Sequence, residues 1–230
     1  MRIAKVVKSN SHVDYVGRIL DRLETSDPPS PAHYRFGQFV SIPAETGLAI
    51  ESAGSENWPA AAKSTHQRSG TKPDHNSNHD YAVGIIYNSQ LINPDYDRLG
   101  PRLSSPVEMN AVFSPDLLNE QGVLIGVLLV GWLDTDGTPR QGIPRTVIPV
   151  NSEIDTMPDD AVGSFHRDPS GRIAIHYYSH VMTHARQFAQ QLLLAVLDQL
   201  QLMGPSESLS EIQLLRQTLN WQQVFQNKSL

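Results

Sequence analysis

The chain has 230 residues, 39% hydrophobic and 18% charged, with a formal charge of −6, the composition of a soluble globular protein with enough length to bury a proper core. The acidic excess argues against a surface built mainly to hold nucleic acid, which normally carries a basic excess, and leaves room only for a local basic patch. The absence of cysteine excludes disulfides, thiolate zinc sites, iron–sulfur clusters and cysteine nucleophiles together, and fits a cytoplasmic protein.

Residues 1–7 alternate like a strand and lack the apolar run of a signal peptide. Residues 13–23 form a second β-rich run, and Asp27-Pro-Pro-Ser-Pro31 supplies a rigid turn with few backbone donors. Residues 34–42 alternate apolar and polar side chains ahead of Pro43, which predicts a strand with Phe36, Gln38, Val40 and Ile42 on one face. A short strand is expected at 47–51. From 52 to 80 the chain turns to Ser, Asn, Gly, His, Lys and Pro around a single Trp58, the composition of a flexible insertion. Residues 81–89 favour a strand in which Gly84 marks a bulge or a close backbone approach, and turns follow at 93–97 and 99–102. Short strands joined by Pro- and Gly-rich turns predict a small closed β-barrel over residues 1–105.

The remaining residues, 106–230, follow a different pattern and predict an α+β lobe. Ser114-Pro-Asp-Leu-Leu-Asn-Glu-Gln-Gly122 carries the cap, first-turn proline, acid and terminal glycine of a short helix. Residues 123–133 are the most apolar stretch, too short for a membrane-spanning helix, and predict a buried strand. Further strands are expected at 146–150 and in a hairpin over 165–178 around Asp168-Pro-Ser-Gly171. From about Ser179 the period changes to 3.6: Phe188, Leu192, Ala195, Val196 and Met203 form one stripe, ended by Gly204-Pro205. Ser208 and Glu211 fit a capping box for a last helix carrying Leu209, Ile212, Leu215 and Leu219, so the lobe is expected to end in a two-helix hairpin.

Three segments of the first half, Val16-Gly-Arg-Ile-Leu20, Phe36-Gly-Gln-Phe-Val-Ser-Ile42 and Ala82-Val-Gly-Ile-Ile-Tyr87, resemble the signature strands of the HAS barrel, the β-barrel shared by HerA-type translocases and rotary ATP synthase subunits. The resemblance covers at most residues 1–105. In those ATPases a nucleotide-binding core follows the barrel, whereas this chain has no G-x-x-x-x-G-K-[ST]. The resemblance therefore implies an assembly or docking barrel without its motor, and a protein partner or a second copy of the chain to bind it.

Candidate chemistry is sparse. His176, His180 and His184 are four apart; the alternation of 173–178 puts His176 on a strand and leaves His180 and His184 as an i, i+4 pair, with His166 as a third candidate metal ligand. A zincin glutamate is missing, Val181 standing in its place. His66, His75 and His79 fall in the polar insertion. Asp134-Thr-Asp-Gly137 begins like a calcium loop, but Arg145 occupies the twelfth position, so a turn is the simpler reading. Asp95, Asp97, Glu108 and Asp116 are candidate magnesium carboxylates that turns and caps also explain. Arg98, Arg102, Arg140, Arg145, Arg167 and Arg172 occupy loops, either as an anion site or as a solvated surface. Trp58, Arg98 and Arg102 are the candidate partner-binding residues. No motif calls for a cofactor. The expected function is a non-catalytic interaction or assembly protein, placed in a DNA-processing or ATPase-linked assembly. Its alternatives are a metal-dependent hydrolase or nuclease using His166, His180 and His184 with nearby carboxylates, and a weak nucleic-acid-binding module.

Overall fold

In a computed structural model of the protein, the described residues are 1–21, 24–44, 81–92, 122–134, 137–203, 210 and 212–219. The expected strand at 47–51, the insertion at 52–80, the turns at 93–97 and 99–102 and residues 114–121 of the expected helix lie outside them, as do Gly204-Pro205 and the Ser208/Glu211 cap, while Gly122, expected to end that helix, is a strand residue.

Among the described residues there are seven strands: β1 (Arg2–Ser9), β2 (Asp14–Ile19), β3 (Phe39–Pro43), β4 (Tyr81–Ile92), β5 (Gly122–Leu133), β6 (Pro139–Gln141) and β7 (Glu153–Thr156). Every pairing is antiparallel, in the order β2-β1-β7-β3-β4-β5, and β2 also pairs with β5, so six strands close into a barrel. Closure leaves these six without a free edge. The barrel is therefore not contained in residues 1–105. Two of its staves, β5 and β7, come from the second half, and each is the partner that a strand of the first half lacks: β5 for β2, β7 for β1 and β3. The long β5 pairs through Leu124–Leu128 with β2 and through Gly131–Leu133 with β6, which lies outside the ring.

Helices α1 (Asp159–Phe165), α2 (Tyr178–His184) and α3 (Ala189–Met203) follow the barrel, and residues 212–219 are helical. The fold is thus mixed α+β. The Gln190 amide donates to the Leu219 carbonyl, and Arg216 bonds to Asp198 and Gln201, so the last segment runs back along α3. Leu192, Val196 and Leu200 of α3 are buried at i, i+4 spacing, and one apolar core runs from the barrel into the helices. No helix among the described residues is long and apolar enough to cross a membrane.

Several expectations change. The strand expected over 34–42 begins only at Phe39. Pro31–Tyr34 is a 3-10 turn, and Gly37 stands at φ +82°, the left-handed region. Phe39, Val40 and Ile42 are all buried, because one face of β3 fills the barrel while Phe39 packs against Phe165 and His166 of the helical layer. Alternation implied one buried face; the strand has two. Gly37→Ala is expected to cost about 1–2 kcal/mol, since an L side chain there is strained and its β-carbon would lie 3.1 Å from that of Ala195. A urea titration measures the loss, and an unchanged midpoint would contradict the strain.

Residues 146–150 do not form the expected strand. Pro144 and Pro149 remove ladder donors, Val147 and Val150 face outward, and the Ile148 amide is held instead by the Tyr15 hydroxyl at 3.1 Å. The expected hairpin over 165–178 is reduced to one bridge, Arg167 to Ile173. A side chain takes over from the ladder: the Gln141 amide donates to the carbonyls of Phe165 and Ala174 at 2.8 and 2.9 Å and its oxygen accepts from the His176 amide. His176 accordingly sits in a turn, not on a strand. The helical stripe from Ser179 is broken between α2 and α3, where Arg186 adopts φ +50°.

Candidate functional site

The three candidate metal histidines do not converge, and among the described residues no group of three or more histidines and carboxylates is placed to hold a metal ion. His166 follows α1 as its C-cap and is buried between Phe39, Phe165 and Tyr177, with ring centroids 5.0 to 5.7 Å away. Nδ1 lies 2.7 Å from the Val162 carbonyl and Nε2 lies 2.6 Å from the Tyr177 hydroxyl. A carbonyl only accepts, so Nδ1 carries the proton and Nε2 accepts from Tyr177. Both nitrogens are committed. Burial pushes the imidazole down to about 4, opposed by the Val162 bond, and burial likewise raises the Tyr177 hydroxyl well above its usual range. This is a neutral, structural histidine.

His180 and His184 do stack on α2, their ring centroids 4.5 Å apart. His180, however, donates through Nε2 to the Leu129 carbonyl of β5 at 2.9 Å, which pins α2 to the barrel. Burial, then proximity to His184, lowers the His180 imidazole, while the Leu129 bond acts against them.

Among the described residues, three loop arginines are engaged separately. Arg140 pairs with Asp134, Arg172 with Asp168, and Arg167 donates to the Gly171 carbonyl. Asp168 is the centre of a tight turn, held below the usual carboxylate range first by the Ser170 hydroxyl and then by the Arg172 amide. Trp58, Arg98 and Arg102, the other loop candidates, lie outside the described residues, as do His66, His75, His79, Asp95, Asp97, Glu108 and Asp116.

What the fold does build is a polar cleft of about 560 Å³ at the junction of barrel and helices. The β1–β2 turn contributes Asn10 and Ser11, and β2 its first residue, Asp14; β4 contributes Tyr87 and Asn88; the end of α2 contributes His184, and the link after it Arg186 and Phe188. The floor is preorganised. The Tyr87 hydroxyl donates to Asp14 Oδ1 at 2.9 Å, and the Asn10 amide donates to Asp14 Oδ2 at 3.1 Å, so both carboxylate oxygens are engaged. Burial, then the bond to Asp14, then the Asp14 charge raise the Tyr87 hydroxyl above its usual range, and the nearby Arg186 charge opposes them.

A family model described as a domain of unknown function, DUF8166, matches residues 1–49 and 67–228. The chain belongs to the DUF8166 family. No curated protein matches it. The DUF8166 match runs across all the described strands and helices, so barrel and helical layer fall within one family domain.

Sequence reasoning missed the cleft of this DUF8166 chain because its parts are far apart in the chain: Asp14 and Tyr87 are separated by 73 positions, and Arg186 is hidden within a helical stripe. One signal was available, the polar run from Thr183 to Gln187 that interrupts that stripe. Helix α1 was also missed, although Pro158-Asp-Asp160 carries the proline and first-turn acids of a helix start.

Proposed function

We propose that this chain is a non-catalytic assembly module, a HAS-type barrel carrying an α+β lobe that ends in a helical hairpin, which docks to a protein partner in an ATPase-linked or DNA-processing assembly. The observation that carries the reading is the placement of the three resembling segments. Val16–Leu20 falls on and just beyond β2, Phe36–Ile42 leads into β3, Ala82–Tyr87 lies in β4, and β2, β3 and β4 are all staves of the closed ring. The glycine of the first segment has a physical role that fits. A β-carbon at Gly17 would stand 2.5 Å from Ile154 Cδ1 and within 3.4 Å of Ile125 and Ala4, at the crowded contact between staves.

The same geometry weakens the competing readings. A hydrolase built on His166 would need a ring nitrogen that Val162 and Tyr177 already occupy. A nucleic-acid surface built on the loop arginines would lose to Asp134 and Asp168 the charges of Arg140 and Arg172, two of the four that lie among the described residues. The module is placed in the cytoplasm, with a motor supplied by a separate chain.

Affinity capture of the tagged protein from its own cells, followed by mass spectrometry, is expected to recover a nucleotide-binding ATPase in near-stoichiometric amount. Recovery of the chain alone, together with metal-dependent hydrolysis by the purified protein, would overturn the reading. Salt-sensitive retention on DNA without a protein partner would replace it with the nucleic-acid alternative.

A further inference from the structure

We propose that the polar cleft between the β1–β2 turn, β4 and the link after α2 is a binding site for the phosphate group of a small hydrophilic molecule, with Arg186 as its principal cation. This goes beyond the docking role and does not depend on it.

Three observations converge. The first is the state of Arg186. Arg2, Arg18, Arg140, Arg172 and Arg216 each have a carboxylate partner, whereas the guanidinium groups of Arg35, Arg145 and Arg186 have no hydrogen bond or ion pair among the described residues, and of these three Arg186 lines the cleft. Asp14, which lines the same cleft, makes no ion pair with it, and both its oxygens accept instead from Tyr87 and Asn10. A guanidinium without an ion pair can form charge-assisted bonds to an incoming anion.

The second is its backbone. Ala185 caps α2, its amide donating to the Val181 carbonyl, and Arg186 follows in the left-handed conformation at φ +50°. That position after a helix end is the one glycine normally fills, because a β-carbon is disfavoured there. An arginine kept where glycine would relieve strain points to a use for its side chain.

The third is the cleft itself. Its volume of about 560 Å³ lies in the range of small-molecule sites, roughly 300–1,000 Å³. Asn88 uses its oxygen to accept from the Ser89 amide, which leaves its amide nitrogen to donate. The His184 imidazole, stacked on His180, makes no hydrogen bond among the described residues and stands on the wall of Arg186. Donors on two walls, from a strand on one side and a helix end on the other, suit a tetrahedral acceptor with several oxygens better than a flat carboxylate. Phe188, half-buried and edge-on to Phe36 at 6.2 Å, gives the ligand's body an apolar wall.

The test is calorimetric titration of the full chain with inorganic phosphate, a nucleoside monophosphate and acetate, on the natural protein, Arg186→Gly and Arg186→Gln. The natural protein is expected to bind phosphate, and both variants to bind it roughly tenfold or more weakly, the loss of a charge-assisted contact. Arg186→Gly is also expected to unfold about 2–4 °C higher, since the strain is relieved while the fold is kept. Tighter binding of the monophosphate than of inorganic phosphate would assign the site to a phosphate ester, and equal binding to free phosphate. Acetate binding as tightly as phosphate, phosphate binding unchanged in both variants, or no binding by the natural protein would each overturn the proposal. None of these readouts requires a protein partner, so failure here is distinguishable from failure of the docking role.

Discussion

Gly131→Ala is expected to destabilise the protein by about 3 kcal/mol, at the upper end of what overpacking costs, and to lower its melting temperature by roughly 6–12 °C for a chain of this size. Gly131 lies near the end of β5, where that strand leaves its pairing with β2 and takes β6 as a neighbour. A β-carbon there would stand 2.2 Å from the Arg140 carbonyl oxygen and 2.7 Å from Phe165 Cζ. The first contact is with backbone, which has no rotamer to change, and the second is with a ring packed against Phe39 and stacked on Tyr177. Relieving both means loosening β6 or moving α1 off the barrel. Gly131 therefore sets how closely the helical layer sits on β5. Phe165→Leu added to Gly131→Ala is expected to recover part of the loss but not the share owed to the Arg140 carbonyl. Denaturant titration of the two single variants and the double variant measures the coupling, and a Gly131→Ala protein within about 0.5 kcal/mol of the natural one would show that the contact yields freely.

How much of this was legible in the sequence follows from the range of the forces involved. β4 and β5 were readable because long apolar, β-favouring runs with few polar residues suit strands buried on both faces, and that is a local property. β7 was not: it has four residues, and Ile154 is its buried member. It becomes a strand because β1 and β3 both need a neighbour, a requirement set by segments more than a hundred positions away. The same holds for Gln141, whose amide replaces a hairpin ladder through three bonds to distant backbone, and for the end of α2, where Ala185 and Arg186 interrupt a stripe that reads as continuous. Among the candidate residues, chemistry was legible and environment was not. Phe-His-Arg-Asp168 is polar as a string, yet it places His166 inside an aromatic core and Asp168 at the surface.

That buried imidazole gives the second large effect. With its proton affinity in the fold pushed down to about 4, against about 6.5 in an unfolded chain, His166 is neutral when folded and gains a proton more readily when unfolded. The unfolded state therefore binds more protons between these values, so stability rises with pH across that window and is lost as pH falls from about 6.5 toward 4. The difference corresponds to about 3 kcal/mol, fully present above pH 6.5. His180, lowered in the same direction, adds to the slope. His166→Ala is expected to cost about 3–5 kcal/mol at neutral pH, because it opens a cavity among Phe39, Phe165 and Tyr177 and strands the Tyr177 hydroxyl. His166→Phe keeps most of the volume and is expected to cost about 1–3 kcal/mol, the penalty of the orphaned hydroxyl. His166→Phe combined with Tyr177→Phe removes both partners of that bond and is expected to recover most of this, with a melting temperature that varies less between pH 4 and 6.5 than that of the natural protein. A double variant whose pH profile overlays the natural one would assign the acid sensitivity to other groups. A double variant no more stable than His166→Phe would show that the Tyr177 hydroxyl finds another partner once the imidazole is gone.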